Sequence, residues 1–223
     1  MKLPRYVPWL LAGLFLFSSA TLSVSADKPA DLKDVVAALE MGYAGLQDVQ
    51  ADFSQRTTIA AVNREQKGVG EVFLKRPASA TAMFRFNYSK PKQQIVSNGK
   101  QLWFYMPENR QVMVSPVADM FKGGNSIALS YLTGLGHVSR DFTVAFAKDP
   151  QDVNGNHQLE LIPKKPSPVL VKLQLTVSSE AVAQFIAAGH VKDIFPVVSS
   201  VVHDVGGNQT RIDYSRVRVN KGL

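Results

Sequence analysis

The side chains able to do acid–base or metal chemistry are thinly spread along this chain. The four histidines, His137, His157, His190 and His203, stand far apart. They form neither an H-x-x-x-H nor an H-E-x-x-H pattern, the spacings that turn two imidazoles of one helix toward a metal ion. Asp204 follows His203, but the pair precedes a turn and has no nucleophile partner in view. A G-x-S-x-G elbow, a glycine-rich phosphate loop and a dinucleotide fingerprint are all missing. With no cysteine among 223 residues, disulfides, thiol catalysis and cysteine metal sites are excluded. The sequence therefore predicts a protein that is not an enzyme and holds no metal or cofactor.

What the chain offers instead is apolar surface in a regular pattern. Phe84, Phe86 and Tyr88 alternate along one run, so in a strand they point to the same face. Trp103 and Tyr105 share one face of a nearby run, while Leu102, Phe104 and Met106 share the other. Phe53 and Phe73 sit in neighbouring runs. Such residues build either an ordinary core or the wall of a cavity. Phe and Met suit a cavity because they repack around a variable guest. Residue types alone do not separate the two readings.

These side chains need a scaffold, and the periodicity indicates one. Leu32, Val35, Val36, Leu39 and Tyr43 fall on one helical stripe after Asp31, a good N-cap, which predicts an amphipathic helix from about Asp31 to Leu46. From Val49 the period drops to two, with Val49, Ala51 and Phe53 alternating with polar residues. Further strands are predicted at Gly68 to Leu74, Thr81 to Tyr88, Gln94 to Ser97, Leu102 to Met106 and Gln111 to Ser115. Turn signals separate them, Asn98-Gly99 being a strong hairpin signal. Short helices are expected at Val117 to Phe121 and Ser126 to Leu132. Strands resume at Phe142 to Phe146, His157 to Ile162 and Leu170 to Val177. Glu180 to Ala188 reads as a short helix, followed by a terminal hairpin of Val197 to His203 and Thr210 to Val219. The implied fold is mainly β: a long, curved antiparallel sheet with helical pieces able to cover its concave face.

Composition sets the context. At 45% hydrophobic and 19% charged residues the chain is globular. Lys2 and Arg5, the apolar run Val7 to Phe17 and the small-residue pattern Val24-Ser25-Ala26 make a secretory signal peptide, with cleavage expected after Ala26. The expected mature unit is a single domain over residues 27–223. Removing Lys2 and Arg5 lowers the formal charge from +7 to +5. No basic run with interleaved aromatics points to nucleic acid. Cleavage would leave no cysteine to carry a lipid, so the protein is not expected to be lipid-anchored itself.

At this point the motifs become recognisable. Gly70-Glu71-Val72-Phe73-Leu74-Lys75-Arg76-Pro77 resembles the G-x-F-x-x-K-R-P signature of the outer-membrane lipoprotein carrier family, LolA. Phe84-Arg85-Phe86-Asn87-Tyr88-Ser89-Lys90-Pro91 is similar to that family's next segment, and Ile95 to Lys100 with Leu102 to Pro107 to the one after. Gln50 to Gln55, Leu132 to Gly136 and Gly207 to Thr210 also resemble family segments, in the family's order. Three places depart from the pattern: the spacer Ala78 to Ala82 is long, Glu180 to Ile194 looks inserted, and the chain stops soon after Val219.

The resemblance implies an incomplete antiparallel β-barrel with short helices as a lid over an apolar cavity. It implies a monomeric periplasmic carrier that takes triacylated lipoproteins from an inner-membrane ABC transporter and passes them to an outer-membrane receptor. Phe53, Phe73, Phe84, Phe86, Tyr88, Trp103 and Tyr105 are the expected lipid-binding residues. Arg76, read alone, is a solvated turn residue. The resemblance makes it the expected lid latch, a guanidinium bonded to lid carbonyls. Two rival readings stand beside this one: a carrier of another envelope amphiphile, such as a glycolipid, and a regulatory module that senses lipoproteins.

Overall fold

A computed structural model of the chain describes residues 30–76, 83–117, 119 and 137–223. The expected signal peptide, the spacer Ala78 to Ala82, the expected helix Ser126 to Leu132, most of that at Val117 to Phe121, and the segment Leu132 to Gly136 lie outside the described residues.

The helix α1 spans Leu32–Ala44. It begins where Asp31 places Oδ1 2.8 Å from the backbone N–H of Asp34, satisfying one of the unpaired donors of a helix start. It ends at Gly45, where the N–H of Gly45 bonds back to the carbonyl of Met41 and that of Leu46 to the carbonyl of Tyr43. Its buried stripe is Val35, Ala38, Leu39, Gly42 and Tyr43. Gly42 is needed here, because a Cβ at that position would lie 2.9 Å from Cγ of Pro196.

Six strands follow as a meander: β1 (Asp48–Ile59), β2 (Arg64–Lys75), β3 (Met83–Lys90), β4 (Gln93–Ser97), β5 (Gln101–Met106) and β6 (Gln111–Pro116). A second meander comprises β7 (Phe142–Gln151), β8 (His157–Pro163), β9 (Leu170–Val177), β10 (Val197–Asp204) and β11 (Gln209–Val219). The antiparallel pairing of β1 with β11 joins the two into one sheet of order β6-β5-β4-β3-β2-β1-β11-β10-β9-β8-β7. The sheet is curved and unclosed, with β6 and β7 as its two edges. Irregular register helps it bend. Gln50 faces Arg218 and Asp52 faces Ser215, so β11 carries an extra residue there, and Arg216 takes φ +50° and pairs with Asp52. The expected Asn98-Gly99 hairpin is present, with Gly99 at φ +86° and Asn98 Oδ1 accepting from the N–H groups of Lys100 and Gln101. β2 begins four residues earlier than its apolar alternation indicates, because Arg64 to Lys67 is polar yet fully paired with β1.

The helices α2 (Val138–Asp141) and α3 (Ser179–Ala188) complete the described elements. Ser178 caps α3 through a bond from Ala181 N–H to Oγ, and Gly189 at φ +71° ends it. The segment that looked inserted, Glu180 to Ile194, is thus most of α3 and the loop after it. It contributes to the core: α3 packs on α1, and Phe195 just beyond lies between Tyr43 and Tyr214, 5.6 Å from each ring centroid.

Residues directly opposite on paired strands share a face, so the register sorts the whole sheet. Phe53 faces Tyr214 on one side and Gly70 on the other, and Gly70 faces Tyr88. Phe84 faces Leu74 and Ser97, and Phe86 faces Val72 and Ile95. The same face continues through Ile212, Ser200, Leu175 and Leu159. Buried residues of α1 and α3 join it in a single core. This is the concave, helix-covered face.

Candidate binding groove

The core and a cavity occupy different parts of the same concave face. Toward the far ends of β1, β2 and β3 lies a groove of about 630 Å3, within the usual size range of small-molecule sites. Its apolar wall is Ile95, Leu102, Phe104 and Met113, on β4, β5 and β6. Its floor is polar but uncharged. Tyr88 Oη donates to Gln55 Oε1 at 2.7 Å, Gln55 Nε2 donates to Thr57 Oγ1 at 3.3 Å, and Thr57 Oγ1 lies 3.2 Å from Thr210 Oγ1. Burial holds the Tyr88 phenol well above its ordinary pKa, so it remains a neutral donor.

The expected lipid-binding residues divide into three groups. Phe53, Phe84 and Phe86 are core, 3%, 5% and 2% exposed, and meet edge-on with Phe53–Phe86 centroids 5.3 Å apart. Tyr88 packs on Phe53 at 4.8 Å and also lines the groove. Phe73, Trp103 and Tyr105 are on the opposite, convex face. Phe73 is opposite Gln50 and Arg85, Trp103 opposite Val96 and Val114, and Tyr105 opposite Gln94 and Val112. This corrects the expected lining. Alternation assigns Trp103 and Tyr105 to one face of β5, but only the pairing Phe86–Ile95–Phe104 decides that the other set, Leu102 and Phe104, turns inward. Gln55, Thr57, Thr210, Ile95 and Met113 were not among the expected lining residues. Alternation from Phe53 points to Gln55 and Thr57, but their polarity disguises them.

Arg76 is not a solvated turn residue. Its Nη1 donates to the carbonyl oxygen of Tyr43 in the last turn of α1, and its backbone N–H bonds to the carbonyl of Gln47 at 2.8 Å. The last carbonyls of a helix lack partners within it and carry partial negative charge, so a guanidinium there is favourable. Asn220 fastens the same corner, accepting from Gln47 N–H at 2.8 Å and donating to the carbonyl of Gly45 at 3.3 Å.

The histidines sit elsewhere. His157 is buried, which pushes its pKa down. His203 has its pKa lowered by burial and by nearby Lys172, and a ring nitrogen lies 3.1 Å from Gln174 Oε1. Among the described residues no three metal-ligating side chains cluster, and no helix is long and apolar enough to cross a membrane.

Residues 44–194 match the model of the family described as outer membrane lipoprotein carrier protein LolA. A Xanthomonas campestris outer-membrane lipoprotein carrier protein is 30% identical over 172 residues, covering 77% of this chain and 71% of that protein. Proteins of the same name from Methylobacillus flagellatus and Actinobacillus succinogenes are 34% and 33% identical over 127 and 102 residues. Those matches cover 56% and 45% of this chain, and the chain spans 58% and 47% of the two proteins' lengths. Among solved structures, a LolA superfamily protein from Nitrosomonas europaea is similar at 13% identity and a TM-score of 0.43, with 87% of this chain and 96% of that one covered. On the extent of the family match and of the Xanthomonas relationship, the chain belongs to the LolA outer membrane lipoprotein carrier family.

Proposed function

We propose that this protein is a periplasmic carrier that shields the acyl chains of lipoproteins on their way to the outer membrane. The observation that carries the reading is the division of one concave face between a groove and a core capped by α1, with Arg76 bonded to α1's last turn. Moving a methylene out of water contributes about 0.8 kcal/mol, so an acyl chain of ~16 carbons costs on the order of 10 kcal/mol to expose. Three such chains need a container. The groove supplies part of it. Displacing α1 would add Phe53, Phe84 and Phe86 to the wall, so the aromatic core beneath the lid is a reserve of apolar surface. Release requires only that the closed state be favoured by a few kcal/mol, a margin that a few contacts such as the Arg76 bond can set.

In this reading residues 1–26 direct export and are cleaved after Ala26. An inner-membrane ABC transporter hands cargo over, an outer-membrane receptor takes it, and the carrier works as a monomer without catalysing a reaction.

The test is native mass spectrometry of residues 27–223 mixed with a purified triacylated lipoprotein. The control is the same lipoprotein with its lipid-bearing cysteine replaced by serine. A one-to-one complex that is absent with the control supports the carrier reading. A co-purified glycolipid without lipoprotein binding moves the assignment to another amphiphile. Binding of neither overturns it.

A further inference from the structure

The polar floor of the groove is out of place in a container for hydrocarbon. Acyl chains form no hydrogen bonds, so polar groups facing them lose water without compensation. Yet here side chains from three strands, Tyr88 on β3, Gln55 and Thr57 on β1 and Thr210 on β11, are wired into one network beside an apolar wall.

The network is built, not incidental. Tyr88 can lie over β2 only because positions 68 and 70 are glycines. A Cβ at Gly68 would lie 2.9 Å from Tyr88 Cε1, and one at Gly70 2.0 Å from the carbonyl oxygen of Asn87. The strip also has donors to spare. Gln55 Nε2 carries two hydrogens and gives one to Thr57. The two threonine hydroxyls share one bond, so whichever donates, the hydrogen of the other is uncommitted. The two uncommitted N–H and O–H donors of these groove-lining residues, without formal charge, suit carbonyl oxygens. They suit a phosphate poorly, because Lys67 in the lining is paired with Glu65 at 3.2 Å and the carboxylate of Asp119 also lines the groove.

Building on the carrier reading, we propose that the Tyr88–Gln55–Thr57–Thr210 strip binds the ester carbonyls where the chains of a multi-acyl lipid meet its glyceryl unit. The chains then run along Ile95, Leu102, Phe104 and Met113. The strip thereby fixes the depth at which a cargo seats, and favours ester-linked lipids over other hydrocarbon.

The test uses the mature chain, a fluorescent triacyl lipopeptide with ester-linked chains, and its ether-linked analogue, which keeps the chains and lacks those carbonyls. Wild type should bind the ester ligand about tenfold more tightly than the ether, as expected for one to two hydrogen bonds. The Thr57→Val/Thr210→Val variant should lose that preference by weakening ester binding alone, and Thr57→Ser/Thr210→Ser should retain it. Equal affinity of wild type for the two ligands overturns the proposal while leaving the carrier reading intact. So does an equal loss of both ligands in the valine variant. Binding of neither ligand by wild type overturns the carrier reading and this inference with it.

Discussion

Arg76, at the C-terminal end of β2, donates from Nη1 to the backbone carbonyl of Tyr43, 33 residues earlier in the last turn of α1. The bond ties the helix that covers the core to the sheet beneath it. Tyr43 also buries its ring against Phe195, so one residue joins the sheet-side donor to the packing of the α1–α3 layer.

Arg76→Leu is expected to keep the fold and loosen α1. Hydrogen bonds to charged groups contribute about 1.5–3 kcal/mol, so the amides of Leu39 to Leu46 should exchange with deuterium at least tenfold faster. Arg76→Lys should fall between, since one ammonium keeps the charge but not the planar fork. In the carrier reading, Arg76→Leu also impairs loading or release of acyl cargo. Unchanged exchange in α1 would mean that Asn220 and the backbone N–H of Arg76, not the guanidinium, hold the corner.

Adjacent residues on β5 should respond oppositely. Phe104 faces the groove and Tyr105 is 39% exposed on the convex face. Phe104→Ala should weaken binding of a triacyl lipopeptide by about 1–2 kcal/mol, roughly 5- to 30-fold, as expected for lost apolar contact. Tyr105→Ala should leave that affinity unchanged. Fluorescence titration distinguishes the two, and a larger loss at Tyr105 would place the lipid on the other face.

That contrast also marks what was legible in the sequence. Strand positions followed from alternation, and the Asp31 cap, the Asn98-Gly99 hairpin and Leu170–Val177 stand where the pattern puts them. Facing was legible only in relative terms. Alternation says that Trp103 and Phe104 oppose one another, but not which turns inward, because that is decided by pairing across β3, β4 and β5. Alternation groups Phe84, Phe86 and Tyr88 on one face, and the register adds Phe53 to it, but whether they form core or cavity wall depends on where α1 lies, which no local pattern states. The polar floor was invisible for a related reason: Gln55, Thr57 and Thr210 resemble any half-exposed strand residues until the register unites them.

Gly70→Ala should be among the costliest small changes in the protein. The added Cβ would meet the carbonyl oxygen of Asn87 at 2.0 Å, and backbone cannot step aside as a side chain can. Overpacking of this kind costs about 1–3 kcal/mol, and the upper end is expected here. Chemical denaturation should show a lower midpoint with an unchanged slope. The Phe53–Tyr88 contact, which crosses Gly70, should loosen in the same variant.

Asp48 sets the acid limit of the corner where β1 leaves α1. Burial works to raise its pKa, but the backbone N–H groups of Lys221, Gly222 and Leu223 and the charge of Lys75 together hold it below its ordinary value of 3.8. Oδ1 accepts from Lys221, and Oδ2 from Gly222 and Leu223. Because the folded-state pKa is the lower one, the carboxylate's contribution is complete above pH 3.8 and fades as pH falls through the folded value. Asp48→Asn should therefore destabilise the protein at pH 6, since an amide nitrogen must replace one acceptor oxygen and face a donor. The deficit relative to wild type should shrink steadily below pH 3.8, where wild type loses its own carboxylate. Thermal denaturation of the two proteins from pH 6 to pH 2.5 measures it. A deficit that stays constant across that range would show that Asp48 acts through packing and not through its charge.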